Sequence, residues 1–221
     1  MKRTILIITA VLMLSFQTAK PLKVIFFGDS ITQAATSPQG FITLLNETVK
    51  ANKQTDQYEL LGKGIGGNKI YDLFFRFEGD VLNNNPDVVI IWVGVNDVWH
   101  KRSFQTGTDP DKFILFYGAM IKKLQERNVK VVLCTPASIG EKTDYTNDMD
   151  GDLNKYSQLI RDLATKYNCG MLDFRKVFHA YNVEHNTLNL EKGILTTDGV
   201  HLNAAGNKLV ADEMSKVIFT K

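Results

Sequence analysis

Four short stretches hold residues whose types and spacing suit acyl transfer. The first is Gly28-Asp29-Ser30-Ile31-Thr32, which interrupts an apolar run at residues 24–27. A serine left at the end of a buried strand is a candidate nucleophile, although Gly-Asp-Ser alone is equally a turn and a helix cap. The fourth is Asp198-Gly199-Val200-His201. An aspartate and a histidine three apart fall on one side of a helical turn, where the carboxylate can fix the imidazole tautomer and stabilise its charged form. The remaining histidines, His100, His179 and His185, lack such a local partner and read as surface or satisfied residues. The third stretch, Gly94-Val95-Asn96-Asp97, offers the Asn96 amide as a donor to a developing oxyanion. The second, Gly62-Lys63-Gly64-Ile65-Gly66-Gly67-Asn68, is a loop whose backbone N–H groups can face a site without side-chain obstruction.

That loop also fits Gly-x-Gly-x-x-Gly between a strand and a helix, so a dinucleotide enzyme is a rival reading. It sits on the second strand, however. The acidic residue expected at the end of the next strand is missing, because Asp87 lies at that strand's start. Taken jointly, the four stretches supply a nucleophile, a base, an orienting carboxylate and oxyanion donors.

The elements that must position them alternate. Strands are expected at 23–27, 58–62, 88–93, 129–135 and 169–173. Helices are expected at 41–51, 70–77, 112–127 (capped by Asp109, with Pro110 in the first turn), 153–167 and from about 203 to 218. Short apolar strands separated by helices predict an α/β chain: a three-layer α/β/α sandwich around a five-stranded parallel sheet. Irregular stretches at 99–109, 137–152 and 182–202 then form a functional rim at the carboxyl ends of the strands.

In order and spacing, the four stretches resemble the blocks of the SGNH, or GDSL-type, esterase and lipase family, across nearly the whole chain after residue 19. The resemblance implies a flavodoxin-like fold and ester hydrolysis through a covalent acyl-Ser30 intermediate. It implies Ser30 as nucleophile, His201 as base and Asp198 as its partner. The oxyanion hole would come from the N–H of Ser30, the Asn96 amide and Gly67, with Gly66 as the alternative glycine. No cofactor and no metal are implied. Trp99 and Asp29 are the candidates nearest the substrate, Asp29 also as a turn former beside the serine. Trp92, inside its strand, reads as core.

Exported small hydrolases of this kind often resemble carbohydrate O-acetylesterases. The expected substrate is therefore a short-acyl, acetyl-type ester on a small molecule or glycan. A lysophospholipase, a thioesterase and a non-catalytic carbohydrate- or dinucleotide-binding protein are the alternatives.

Residues 1–19 read as a signal peptide. Lys2 and Arg3 precede an apolar run at 5–16, with Thr18 and Ala19 after it. Export to the periplasm or outside is expected after cleavage near Ala19, with a retained anchor as the alternative. Residues 20–221 then form one hydrolase domain. The segment 1–19 carries two basic and no acidic residues, so the rest holds 24 of each sign. A neutral chain offers no electrostatic case for nucleic acid or an anionic membrane. Cys134 and Cys169 fall at opposite ends of parallel strands and read as unbridged, buried apolar residues. The acidic stretch 144–152 fails the EF-hand spacing and reads as a solvated loop.

Overall fold

In a computed structural model, residues 20–219 are described. The expected signal peptide lies outside them. Five strands, β1 (Leu22–Gly28), β2 (Tyr58–Gly64), β3 (Val88–Trp92), β4 (Lys130–Cys134) and β5 (Gly170–Leu172), form one sheet in the order β2-β1-β3-β4-β5. Every pairing is parallel. Successive side chains on a strand point to opposite faces, and here both faces are covered. Val24, Phe26, Ile90 and Trp92 join one core cluster, whereas Ile25, Phe27, Val89 and Ile91 join the other. That is why the three central strands, β1, β3 and β4, read as apolar runs, whereas the edge strands β2 and β5 are only partly buried.

Among the described residues, eight α-helices supply the outer layers: α1 (Ser30–Ala34), α2 (Phe41–Ala51), α3 (Ile70–Asp80), α4 (Val95–Phe104), α5 (Pro110–Gln125), α6 (Asp150–Lys166), α7 (Phe174–His185) and α8 (Ala204–Ile218). Buried residues of α2, α7 and α8 pack with Phe26 and Trp92, and those of α3, α5 and α6 with Phe27 and Ile91. Trp92 is core, as expected: its ring lies against Phe174 and its indole N–H donates to the Thr135 carbonyl at 3.0 Å.

Three helices were not expected, α1, α4 and α7. α1 is a single short turn capped by Asp29. α4 replaces much of the irregular stretch at 99–109. Its buried residues, Val95, Asn96, Asp97 and Val98, are consecutive, so it shows no helical stripe. α7 does carry one, at Phe174, Val177, Phe178 and Tyr181 (i, i+3, i+4, i+7). Asp109 occupies the N-cap position of α5, but its carboxylate pairs with Lys101 rather than with the helix. The 144–152 loop is not wholly solvated. Asp150 is buried and bonds Arg175 at 2.5 Å, because a buried carboxylate needs a partner. Both cysteines are free. Cys134 is buried, whereas Cys169, just before β5, is only half-buried.

The end of β2 lies directly against α1. A Cβ on Gly64 would sit 2.0 Å from the Gln33 nitrogen and 2.4 Å from the Thr32 carbonyl carbon. These are backbone atoms and cannot rotate away. Gly64→Ala is expected to cost about 1–3 kcal/mol, lowering the melting midpoint by roughly 2–12 °C. A melting curve unchanged from the native protein would show that α1 is not held this closely.

Candidate active site

Ser30 is the first residue of α1, set immediately beyond β1. Asp29 makes the turn: its Oδ1 accepts the Ile31 N–H at 3.0 Å, an N-cap contact that aims the helix start over the sheet edge. Asp29 is 2% exposed, so its carboxylate is spent beneath the serine and does not face a substrate.

Ser30 Oγ lies 2.9 Å from His201 Nε2, and His201 Nδ1 lies 2.7 Å from Asp198 Oδ2. The aspartate and the histidine are not on a helix. They occupy a loop closed by the Thr196–Leu202 bridge, and α8 is capped one step later by Asn203, which accepts the Gly206 N–H at 3.0 Å. The loop holds its shape locally. Asp198 Oδ1 accepts the N–H groups of Val200 and His201, at 3.0 and 2.7 Å. The Gly199 carbonyl accepts from the Gly140 N–H and the Ser138 hydroxyl. Burial alone would raise the Asp198 pKa, but His201 and these N–H groups outweigh it and hold the carboxyl below its ordinary range. It stays charged opposite the imidazole.

The oxyanion side is built from the next two strand ends. The Gly66 N–H donates to Gln33 Oε1 at 2.8 Å and is therefore occupied. The Gly67 N–H has no acceptor among the described residues, and Gly67 sits at φ +75°, a backbone region that favours glycine. Asn96, 2% exposed, donates one amide hydrogen to the Asn68 carbonyl at 3.1 Å, which leaves the other for a ligand. The structure thus brings Ser30, Gly67, Asn96, Asp198 and His201 to one edge of the sheet.

Trp99 borders the same place, its ring centroid 6.3 Å from that of His201. It also lines an open cavity of about 410 Å³ with Ile139, Lys142, Asn147, Asp148 and Glu191. His100, expected to be an ordinary surface residue, lies between Trp99 and Phe104 with its ring against Gly67. Its pKa is lowered by burial and by Lys69. Gln33, Lys69 and Arg76 bond the segment 63–68 and left no signal in the sequence: Gln33 and Arg76 reach groups 33 and 48 positions away, whereas Lys69 reaches back only two residues, to the Gly67 carbonyl.

A profile of the GDSL-like lipase/acylhydrolase family matches residues 26–209. The crystal structure of an acetyl xylan esterase, AlAXEase, is 61% identical and superposes with a TM-score of 0.88, covering 89% of this chain and 99% of that one. An acetylxylan esterase of Geobacillus stearothermophilus is 27% identical over 205 residues, or 86% of this chain and 90% of the relative. An uncharacterized lipoprotein of Bacillus subtilis (strain 168), YqeF, is 22% identical over 212 residues, 85% of each chain.

Beneath the site lie two buried carboxyls, Asp29 and Asp97. Burial pushes each up to about 7, and the charge of Asp97 adds to the rise at Asp29. Between their ordinary value and 7 the folded chain binds more protons than the unfolded chain, so these groups subtract from stability as pH rises through that window. In Asp97→Asn the amide oxygen can still accept the Ile70 N–H that Asp97 accepts at 3.2 Å. The stability of Asp97→Asn relative to the native protein is expected to rise from pH 5 to pH 8 by an amount on the order of a few kcal/mol. Thermal or denaturant unfolding at both pH values measures it, and an offset that does not move with pH would contradict the protonation assigned to Asp97.

Proposed function

This chain belongs to the GDSL-like lipase/acylhydrolase family, and from that premise we propose that it removes acetyl groups from a carbohydrate, a xylan-type glycan first among them. The observation that carries the reading is the hydrogen-bonded line Ser30–His201–Asp198 beside three convergent donors. The 61% identity to an acetyl xylan esterase supports the acetyl and glycan parts of it.

In this mechanism Ser30 Oγ attacks the ester carbonyl carbon as its proton passes to His201 Nε2. Asp198 holds the other ring nitrogen and stabilises the imidazolium. The carbonyl oxygen becomes an oxyanion, received by the N–H groups of Ser30 and Gly67 and by the Asn96 amide. His201 then gives its proton to the leaving sugar oxygen, the ester C–O bond breaks and acetyl remains on Ser30. A water, deprotonated by His201, attacks that acyl group; His201 then returns the proton to Ser30 Oγ as the Ser30–acyl bond breaks, releasing acetate.

The alcohol half of the ester leaves on the side of His201, the side occupied by the Trp99 cavity. An aromatic wall with Lys142, Asn147 and Glu191 around it suits a sugar, whose faces stack and whose hydroxyls hydrogen-bond. Residues 1–19 act as an export signal cleaved near Ala19. Among the described residues no helix is long and apolar enough to cross a membrane.

A fluorophosphonate probe is expected to label Ser30, and labelling is expected to vanish in Ser30→Ala. The native protein should release acetate from acetylated xylan and prefer p-nitrophenyl acetate to longer acyl esters. Asn96→Ala should lower kcat by about 100- to 1,000-fold while still folding. A folded protein that neither labels nor hydrolyses would point to a binding role. A preference for long acyl chains would replace the acetyl reading with a lysophospholipase or thioesterase.

A further inference from the structure

We propose that Arg76 is a positioning residue for the oxyanion hole, holding the backbones that carry Ser30 and Gly67 and, through Asn68, the Asn96 amide. The inference rests on the esterase reading of Ser30, Gly67 and Asn96.

Arg76 lies on α3, and its side chain is 16% exposed. Nε donates to Asn68 Oδ1 at 2.7 Å. Nη2 donates to the Gly28 carbonyl at 2.7 Å and, with Nη1, to the Lys63 carbonyl, each at 3.1 Å. Nη1 also meets Asp80 Oδ2 at 2.6 Å. The face of the guanidinium rests on the Phe27 ring, 4.5 Å from its centroid. One planar group thus ties together three pieces of backbone beside the site. Gly28 is two residues before Ser30, and its carbonyl also accepts the Ile65 N–H. Lys63 is the last residue but one of β2, just before the oxyanion loop. Asn68 is next to Gly67 in the chain, and its own carbonyl is the anchor for Asn96 Nδ2.

A line of bonds therefore runs from Arg76 Nε to the Asn68 side chain, and from the Asn68 backbone to the Asn96 amide. The second hydrogen of that amide is the one offered to the oxyanion. Lys69 secures the same loop from the other side, its Nζ donating to the Gly67 carbonyl at 2.9 Å. Donors to an oxyanion act only if they are fixed before charge develops, and a misplacement of about 1 Å can cost on the order of 100-fold in rate. Lysine could not replace this arginine, because its ammonium lacks the planar fork that reaches Gly28, Lys63 and Asn68 together.

The test is a double-mutant cycle on p-nitrophenyl acetate, with active sites counted by fluorophosphonate titration. Arg76→Met and Asn68→Ala are each expected to lower kcat by about 10- to 100-fold with KM changed less than about threefold. Combined with Asn96→Ala, Asn68→Ala should add less than about threefold, because the amide it positions is already gone, whereas Arg76→Met should keep the part of its loss that comes through Ser30 and Gly67. Arg76→Lys should recover little of the loss. Should Arg76→Met fail to fold, Asn68→Ala carries the same comparison with Arg76 left in place. Native kcat in folded Arg76→Met or Asn68→Ala would overturn the inference, as would an Asn68→Ala loss that multiplies fully with Asn96→Ala or a rise confined to KM. Ser30→Ala is measured alongside. Hydrolysis surviving in it would instead overturn the esterase reading itself.

Discussion

The site depends on one constraint, the parallel register of three adjacent strands. β1 lies between β2 and β3, and Gly28 is opposite both Gly64 and Trp92. All three strands end at the same level and point the same way. The residues just beyond each strand are therefore delivered to the same few ångströms of sheet edge: Ser30 after β1, Gly67 after β2, Asn96 after β3. Carboxyl ends of parallel strands collect ligands for this reason. A slip of β2 by one residue would carry Gly67 away from Ser30 and turn every β2 side chain to the opposite face. Burial on both faces of the sheet makes such a slip costly, so the same apolar contacts that stabilise the fold fix the spacing of the donors.

Polar groups then refine what the register places. Helices that start at this edge leave N–H groups free in their first turn, and at α1 and α3 acidic side chains answer them, whereas α4 starts at Gly94 with no side-chain cap. Asp29 caps α1, and Asp97 accepts the first N–H of α3. The second of these bonds joins the helix that comes after Gly67 to the helix that carries Asn96. Two buried carboxyls under a site that develops negative charge would be unfavourable if both were ionised. Burial keeps each of them protonated through much of the range below neutral pH, which limits that repulsion.

Much of this could be read from sequence. The central strands β1, β3 and β4 announce themselves as apolar runs because the sheet is covered on both faces there. Ser30, Asn96, Asp198 and His201 could be picked out because each comes after a strand or before the last helix, in types that suit one reaction. The parts that could not be read have a common cause. α4 buries four consecutive residues in its first turn, so no period marks it. Arg76 and Gln33 bond the Gly28 carbonyl and the Gly66 N–H, 48 and 33 positions away, and an arginine in a helix looks the same whether it meets water or Gly28. Asp198 and His201 were legible as a pair but not in conformation, since an Asx-type turn and a helical turn place residues three apart at similar distances. What distinguishes Gly66 from Gly67 is Gln33, three residues past the serine in an unrelated stretch, which occupies the Gly66 N–H.

The two halves of the site differ in how they are held, and that difference bears on what each can change. The oxyanion half rises from the sheet and is pinned by Arg76, Lys69 and Asp97 to strand ends and helix starts. The histidine half belongs to the 196–202 loop, which is secured against a second loop through Gly199 to Gly140 and Ser138. Glu141 extends that contact by accepting the N–H groups of Ile194 and Leu195, at 2.8 and 2.7 Å. The cavity beside Trp99 opens between these same two loops. Altering the 139–149 loop would reshape the Trp99 cavity and, through Gly140 and Glu141, would bear on the loop that carries His201, while leaving the contacts of Arg76, Lys69 and Asp97 in place. The cavity thus shares its support with His201 and not with Gly67 and Asn96, and it is walled by loops, the parts of a fold most open to variation.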